Sequence, residues 1–367
     1  MTTGRTIIIG GGIAGLAAGW QLARRGVEVV VVERESLTCS HSSGRNAAIF
    51  RHAEPIPSLG RLALRSRTLL DELLGGNAWL TRRGALYVAP VEEPVASLAL
   101  VCKAAGVSVS RVDGDALIAR QPALRDGSAC FGLLSPEDGV MDVHAITDAL
   151  RRAGTALGVV TKTGAGVANI CCADGRVVGV RLESGDLLLA DCVVIAAGAW
   201  AAELGAAAGA ALPLSPLRRH LALLDGPCAA DVDGPVVWRI LEDAYFRPEG
   251  QGVLASPCDE EQSAPCLPAS SPDALNQLAE RLSTLAPRLA TATVRRYWAG
   301  LRTFAPDRNL VVGRDPRVRG LSWLAGLGGH GMTLAVAAAE HLTRELVRES
   351  DPLPEWSPAR LLAEGSS

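Results

Sequence analysis

Gly10-Gly11-Gly12-Ile13-Ala14-Gly15 spells G-x-G-x-x-G, and an acidic residue, Glu33, stands 18 positions after the last of these glycines. Residues of these types at this spacing bind a dinucleotide. Gly10 permits a tight turn, Gly12 lets the main chain approach a pyrophosphate, and Gly15 lets a helix pack closely on a strand. Glu33 can accept hydrogen bonds from a ribose diol. The arginines offer a second chemistry, because a guanidinium fork matches a carboxylate with two parallel hydrogen bonds. Arg302 falls just beyond an expected strand, Thr293–Trp298, whereas Arg218 and Arg219 are neighbours on another. Side chains alternate along a strand, so only one of those two can face inward. Tyr245 adds a phenol that could bond a carboxylate or shield a ring system. No Ser-His-Asp arrangement, metal-ligand spacing or paired-carboxylate signal stands out.

These residues need elements to hold them. Thr6–Ile9 is a β-branched strand; Leu16–Arg25 reads as a helix, with Leu16, Trp20 and Ala23 at helical spacing and Gly26 as its stop. Val27–Val32 is the second strand and leads into Glu33. The helix N-terminus between them offers free N–H groups and a positive dipole end to phosphates. The segment from Cys39 to Arg51 is small, polar and glycine-bearing, then turns apolar, and can lay its main chain along a flat ring system. Cys192–Ile195 is a buried strand that ends in the glycine turn Ala196-Ala197-Gly198-Ala199-Trp200. Leu321–Leu324 is another strand, followed by Gly326-Leu327-Gly328-Gly329-His330-Gly331 and a helix from Met332 to Val347. A helix N-terminus aimed into the fold can hold developing negative charge, such as that of a reduced flavin. Leu217–Leu224, Val236–Ile240, Tyr245–Arg247 and Gly252–Ala255 are short strands without intervening helices, which predicts an antiparallel sheet. Pro272–Leu285 is a helix capped by Ser271, Val177–Leu182 and Leu187–Ala190 form a hairpin around Ser184-Gly185, and Ser350–Ser367 is a tail.

Composition narrows the classes. The 367 residues suit two domains, or one large domain with a long insertion; 48% are hydrophobic and 20% charged, which excludes global disorder. A net charge of −3 gives no long-range attraction to nucleic acid or anionic membrane. Only Lys103 and Lys162 are lysines, so arginine is abundant and a single arginine is weak evidence of a site. No stretch is long and apolar enough for a transmembrane helix, and no leader is visible. The nine cysteines include no C-x-x-C, and Cys171-Cys172 are adjacent, which predicts a reduced, cytoplasmic protein with inert thiols and no metal.

The chain resembles the FAD-dependent D-amino acid oxidase superfamily, and within it the bacterial D-arginine dehydrogenase type. The resemblance covers nearly the whole chain. It rests on Gly10–Gly15 with Glu33, Ser42-Ser43-Gly44-Arg45, Ala196–Trp200, Asp243-Ala244-Tyr245-Phe246-Arg247-Pro248, Trp298-Ala299-Gly300-Leu301-Arg302 and Gly328–Gly331. It implies an α/β fold: a Rossmann-like FAD-binding domain (1–85, 141–212, 300–367) with a discontinuous antiparallel-sheet α+β substrate domain (86–140, 213–299). It assigns FAD binding to Gly10, Gly12, Ile13, Ala14, Gly15, Glu33 and Arg34, and to Ser42, Ser43, Gly44, Arg45, Asn46, Ala47 and Val167. Ala197, Gly198, Trp200, Gly328, Gly329, His330, Gly331, Met332 and Thr333 complete that set. It makes Arg302 the carboxylate-binding arginine and favours Arg219 over Arg218 as the inward one. Tyr245 is a third contact, and the Gly300 carbonyl accepts from the substrate amine. No cysteine lies within Tyr297–Thr303, where some relatives attach flavin, so the FAD is expected to be non-covalent.

The implied activity is oxidation of the CH–NH bond of a small amino acid, D-configured or cyclic or N-substituted, by hydride transfer to flavin N5, giving an imine. The partners are then the amino acid and an electron acceptor that is either oxygen or a quinone-like carrier, with no nucleic acid. Two rivals share the features: a 2-hydroxy acid oxidoreductase, and a flavin-binding subunit without catalysis. The D-arginine type has a His and a Tyr where this chain has Ile49 and Glu54, and a carboxylate where it has Ala85. A recogniser for a guanidinium tail is therefore missing, unless Glu54 acts from its own position. His41 and His52 flank the flavin-facing segment, His144 and His341 read as helix residues, and His220 points away from Arg219.

Overall fold

A computed structural model describes residues 4–225, 232–241 and 244–362. Asp243, in the segment around Tyr245, and the end of the chain beyond 362 lie outside the described residues.

Four β-branched residues in Thr6–Ile9 make a strand buried along its whole length. It lies inside a six-stranded sheet ordered Val311–Arg314, Leu321–Ala325, Cys192–Ile195, Thr6–Ile9, Val29–Val32, Val160–Lys162. All neighbours run parallel except the first pair. A strand covered on both faces must be apolar throughout, which is why these segments read as continuous Val and Ile. The first helix is Ile13–Ala23, starting earlier and ending earlier than its apolar spacing suggested. Gly26 takes φ +74°, the left-handed stop, and the Val27 N–H turns back to Leu22 O at 3.2 Å. That bond keeps Val27 out of the second strand, which begins at Val29. A Cβ on Gly15 would fall inside the radius of Gly10 O, so strand and helix meet here at main-chain contact.

The second large sheet has nine strands. Its path is Glu261–Gln262, Ser215–Asp225, Gly252–Ser256, Ala244–Glu249, Val236–Arg239, Ala85–Ala89, Phe131–Ser135, Ser110–Arg111, with Thr293–Phe304 also on Ser215–Asp225. Neighbours are antiparallel apart from Val236–Arg239 on Ala85–Ala89. The helix Pro272–Leu285 covers it with Ala274, Leu278, Leu282 and Leu285, and the Ser271 hydroxyl caps Asp273 N–H. Thr293–Phe304 is longer than expected. It does not stop at Trp298, because the 11-residue Ser215–Asp225 pairs with it from Thr293 to Phe304. Arg302 therefore stands within the strand, whose first residues are exposed and whose last six are buried.

Two three-stranded sheets complete the fold. One joins Ile49–Phe50, Gly139–Met141 and Leu80–Arg82; the other joins Val167–Ala173, Arg176–Leu182 and Leu187–Leu189. The expected tail is docked up to residue 362. Trp356 is buried edge-on against His341, and its carbonyl accepts from Val312 N–H at 2.9 Å. Burial pushes the Cys39 thiol up to about 12 and those of Cys102 and Cys192 to about 11, away from reactivity. Among the described residues, no helix is long and apolar enough to cross a membrane, and no His/Cys/Asp/Glu cluster could hold a metal.

Candidate active site

A cavity of about 600 Å³ runs from the Gly10–Gly12 turn to the side chains of the nine-stranded sheet. At its first end Gly12, Ile13 and Ala14 line the wall, and the helix opens on Gly12 with no side-chain cap. The Ser43 hydroxyl accepts from Ile13 N–H at 3.0 Å. The first N–H groups of a helix have no partner within it, so this end suits phosphate oxygens. Glu33 is fixed by two main-chain donors, Gly11 N–H at 2.6 Å and Glu35 N–H at 2.9 Å. Its carboxylate lines the cavity and has acceptor sites beyond those two bonds. The Arg34 guanidinium lies 4.2 Å from the Trp200 ring centre, and His41 meets the same ring edge-on at 4.7 Å. His41 is itself held by Glu35 at 2.9 Å. These side chains make a flat slot beside Glu33.

The middle is walled by main chain. Asn46 folds back on its own segment, donating to Ser43 O at 2.6 Å and accepting from Ala48 N–H at 2.7 Å. That holds Ala48 at φ +55° on the cavity wall. Ser42 donates to Leu301 O at 2.7 Å and so ties this segment to the Arg302 strand. Ala47, Val167, Ala197, Gly198, Gly328, Gly329, Gly331, Met332 and Thr333 line the wall as well. Gly328 takes φ +51° with its Cα against the Phe304 ring, a position closed to any side chain. The helix Gly331–Leu346 begins here with its N-terminus at the cavity. A slot beside an acid, an uncapped helix N-terminus and a long wall of glycine and alanine fit the adenosine, pyrophosphate and ring system of FAD.

The far end carries the side chains. Arg302 is buried; it donates to Leu301 O at 3.0 Å and to Arg45 O at 2.7 Å. Among the described residues no carboxylate pairs with it. Burial, aided by the charge of Arg219, pushes its guanidinium down to about 10. Arg219 is the inward member of its pair: it lines the cavity, while Arg218 faces out to Glu261. Arg219 is already engaged by Glu260 at 2.6 Å. Tyr245 stacks on Trp238, with ring centres 4.7 Å apart, and burial pushes its phenol up to about 12. The Arg51 guanidinium lies over the Trp238 ring, 4.2 Å from its centre.

Several expected contacts lie outside the large cavity. Gly300, opposite Arg219 in register, lines only a much smaller cavity behind the strand, together with Arg45. Arg45 contributes its carbonyl to Arg302, and Gly44 and Gly15 are close-packing positions. His330 turns away to Glu54 at 2.7 Å and Arg51 at 2.9 Å. The Glu54 side chain is fully buried and accepts from Arg51 Nε and Nη2, both at 3.1 Å. Burial favours its neutral form, but Arg51 and His330 outweigh that and hold the carboxyl below its ordinary range. Glu54 is thus paired with Arg51 and His330 and is not on the cavity wall. Ala85 lies in a core cluster with Ala53 and Val95 rather than on the cavity wall, whereas Ile49 is on it. His52 is a buried partner of Asp138, which Tyr87 also bonds. His220 points away from the cavity to Asp259.

Arg51, Trp238 and Glu260 escaped the sequence reading. Trp238 carried a usable signal, since it stands directly opposite Tyr245 on the neighbouring strand. Glu260 carried none, because its partner Arg219 lies 41 residues away, and Arg51 was hidden because only folding brings His330 and Trp238 to it.

The chain matches the family model described as FAD dependent oxidoreductase over residues 5–345. It is 28% identical over 368 residues to the bifunctional protein ThiO/ThiG of Nostoc sp., covering 95% of this chain and 53% of that one. It therefore spans about half the length of that curated relative. It is 26% identical over 409 residues to the D-amino acid dehydrogenase of Cereibacter sphaeroides, covering 92% of this chain and 91% of that one. The L-proline dehydrogenase from P. horikoshii shares the fold, with a TM-score of 0.87 at 23% identity over 99% of this chain and 98% of that one. The chain belongs to the FAD-dependent oxidoreductase family, the D-amino acid oxidase superfamily, and its cofactor is FAD.

Proposed function

We propose that the protein oxidises the CH–NH bond of a small amino acid to an imine, which water then converts to a keto acid. The observation that carries this reading is Arg302, a buried guanidinium on the cavity wall that bonds main-chain carbonyls and, among the described residues, no carboxylate. A buried cation without a counter-charge is costly, so the site awaits an anion. An α-carboxylate on Arg302, with Arg219 and Tyr245 beside it, fixes the substrate Cα at the end of the glycine-walled slot. Bound FAD supplies the chemistry, taking up the α-hydrogen as hydride with both electrons. The chain itself positions the substrate and keeps water out, and neither task needs a strong protein base.

The substrate side chain is neutral in this reading. Arg51, Arg219 and Arg302 all line the substrate end, Glu54 is committed, and Ile49 adds an apolar surface. A cationic tail would meet like charge. The nine-stranded sheet takes the substrate role and the six-stranded sheet the cofactor role. FAD is held without a covalent bond. The test is a panel of D- and L-amino acids and 2-hydroxy acids mixed anaerobically with holoenzyme. Bleaching of the flavin by amino acids, with neutral ones ahead of D-Arg and D-Lys in kcat/KM, is the expected result. Reduction by hydroxy acids alone, or by nothing, overturns the reading.

A further inference from the structure

We infer that Glu260 is a built-in competitor for the substrate carboxylate: it engages Arg219 before substrate binds, yields it when substrate arrives, and so sets KM. This rests on the amino-acid reading above and adds to it a residue outside the cavity wall.

Glu260 Oε1 accepts from Arg219 Nη2 at 2.6 Å and from Arg308 Nη1 at 2.9 Å, and Oε2 accepts from Arg308 Nη2 at 2.7 Å. The three side chains form a gradient from the cavity wall to solvent, with 8% exposure for Arg219, 31% for Glu260 and 51% for Arg308. Both arginines lie against Phe304, Arg308 at 4.4 Å and Arg219 at 6.0 Å from the ring centre. Arg219 also borders the flavin-side glycine turn, its Nη1 lying 3.3 Å from where a Cβ on Gly329 would stand. The backbone beneath Glu260 is anchored on both sides. Asp259 accepts from the His220 N–H at 2.7 Å and from its ring, and Glu261 pairs with Arg218.

Two features make Glu260 an exchangeable partner rather than a fixed brace. Arg308 grips both of its oxygens in the fork-to-fork manner, so losing Arg219 does not leave the carboxylate alone. Glu260 is also partly solvated, so water takes up what Arg219 gives back. Arg219 then exchanges one carboxylate for another, and the charge around it is conserved. Glu260 thereby lowers apparent affinity for every carboxylate-bearing ligand. Arg308 acts in the opposite sense, because it draws Glu260 outward.

The two residues therefore predict shifts of opposite sign. The probes are propionate, a carboxylate without an amine, titrated against holoenzyme by flavin absorbance, and the best amino acid of the panel in steady state. Glu260→Gln lowers the propionate Kd and the amino-acid KM by about two- to fivefold, the scale of a part-exposed ion pair, with kcat nearly unchanged. Arg308→Met raises both quantities. FAD content and melting temperature verify that each variant is folded; Arg308 is half-exposed, so its variant carries the test if Glu260→Gln is poorly folded. If Glu260→Gln weakens binding or leaves it unchanged, or if both variants shift it the same way, Glu260 is a brace and the inference falls while the amino-acid reading stands. If neither probe perturbs the flavin in wild type or variants, both fall together.

Discussion

The two ends of the cavity are built from different materials. The end proposed for FAD is mostly main chain: glycines in close contact, a helix N-terminus opening on Gly12 and strands buried on both faces. The end proposed for substrate is made of side chains, several of them joined from far along the chain: Arg51, paired with Glu54 three residues on, also meets His330 at 2.9 Å, and Arg219 finds Glu260 at 2.6 Å. A main-chain site tolerates no bulk and has no substitute for a lost glycine. A side-chain site is adjustable, and its residues alter affinity and rate by degrees.

The largest effect should come from the main-chain end. Gly15→Val places a side chain on Gly10 O and should leave a protein that does not fold with FAD. Gly12→Val is milder on the fold, because a Cβ there meets only the Ser43 hydroxyl at 3.2 Å, yet it projects into the cavity wall. It should remain folded by circular dichroism and be purified without FAD; stoichiometric FAD in that variant would show that the glycine turn is not the phosphate site.

Next in size is the buried ion cluster. Glu54→Gln removes the charge that Arg51 and His330 share, and breaking a buried pair costs about 3 kcal/mol. Its carboxyl is held below the ordinary 4.5, so its stabilisation is present above that pH and is lost as pH falls through the lower folded value. Thermal melts from pH 7 down to pH 3 should show wild type losing stability more steeply than Glu54→Gln. Parallel curves would mean that the cluster is not charged as described.

A smaller effect runs the other way. Arg302 carries an unreleased burial cost, so Arg302→Met should melt higher than wild type by about 2 °C or more in the absence of ligand. Saturating propionate should raise the melting temperature of wild type and leave that of Arg302→Met unmoved. A destabilised Arg302→Met would make Arg302 a structural residue.

The same contrast explains what could be read from the chain. The glycine turn, Glu33, the strand Cys192–Ile195 and the capped helix Pro272–Leu285 were legible because each depends on neighbours within a few residues. Arg219 was preferred over Arg218 through resemblance, and the sheet turns it inward; its partner Glu260 was invisible because 41 residues separate them. Arg302 was singled out, but its strand was cut short, because only the pairing with Ser215–Asp225 extends it. His330 looked like a cofactor contact from its place among glycines, and a carboxylate 276 positions away turns it aside. The docked tail was hidden for the same reason, since Trp356 is held by Val312 and His341.

The central claim is that Arg302 holds the substrate carboxylate, and anaerobic stopped-flow reduction of the flavin tests it most directly. Wild type, Arg302→Ala and Arg302→Lys are compared with the best amino acid and with its carboxylate-free amine. For Arg302→Ala the amino acid should react about two orders of magnitude more slowly, roughly 2.7 kcal/mol in the barrier, because both binding and orientation of Cα are lost. Arg302→Lys should recover only part of this, since an ammonium keeps the charge without the planar fork. The amine should react equally slowly with all three proteins. If Arg302→Ala, with its FAD intact, is reduced by the amino acid as fast as wild type, the carboxylate does not bind there and the account is wrong.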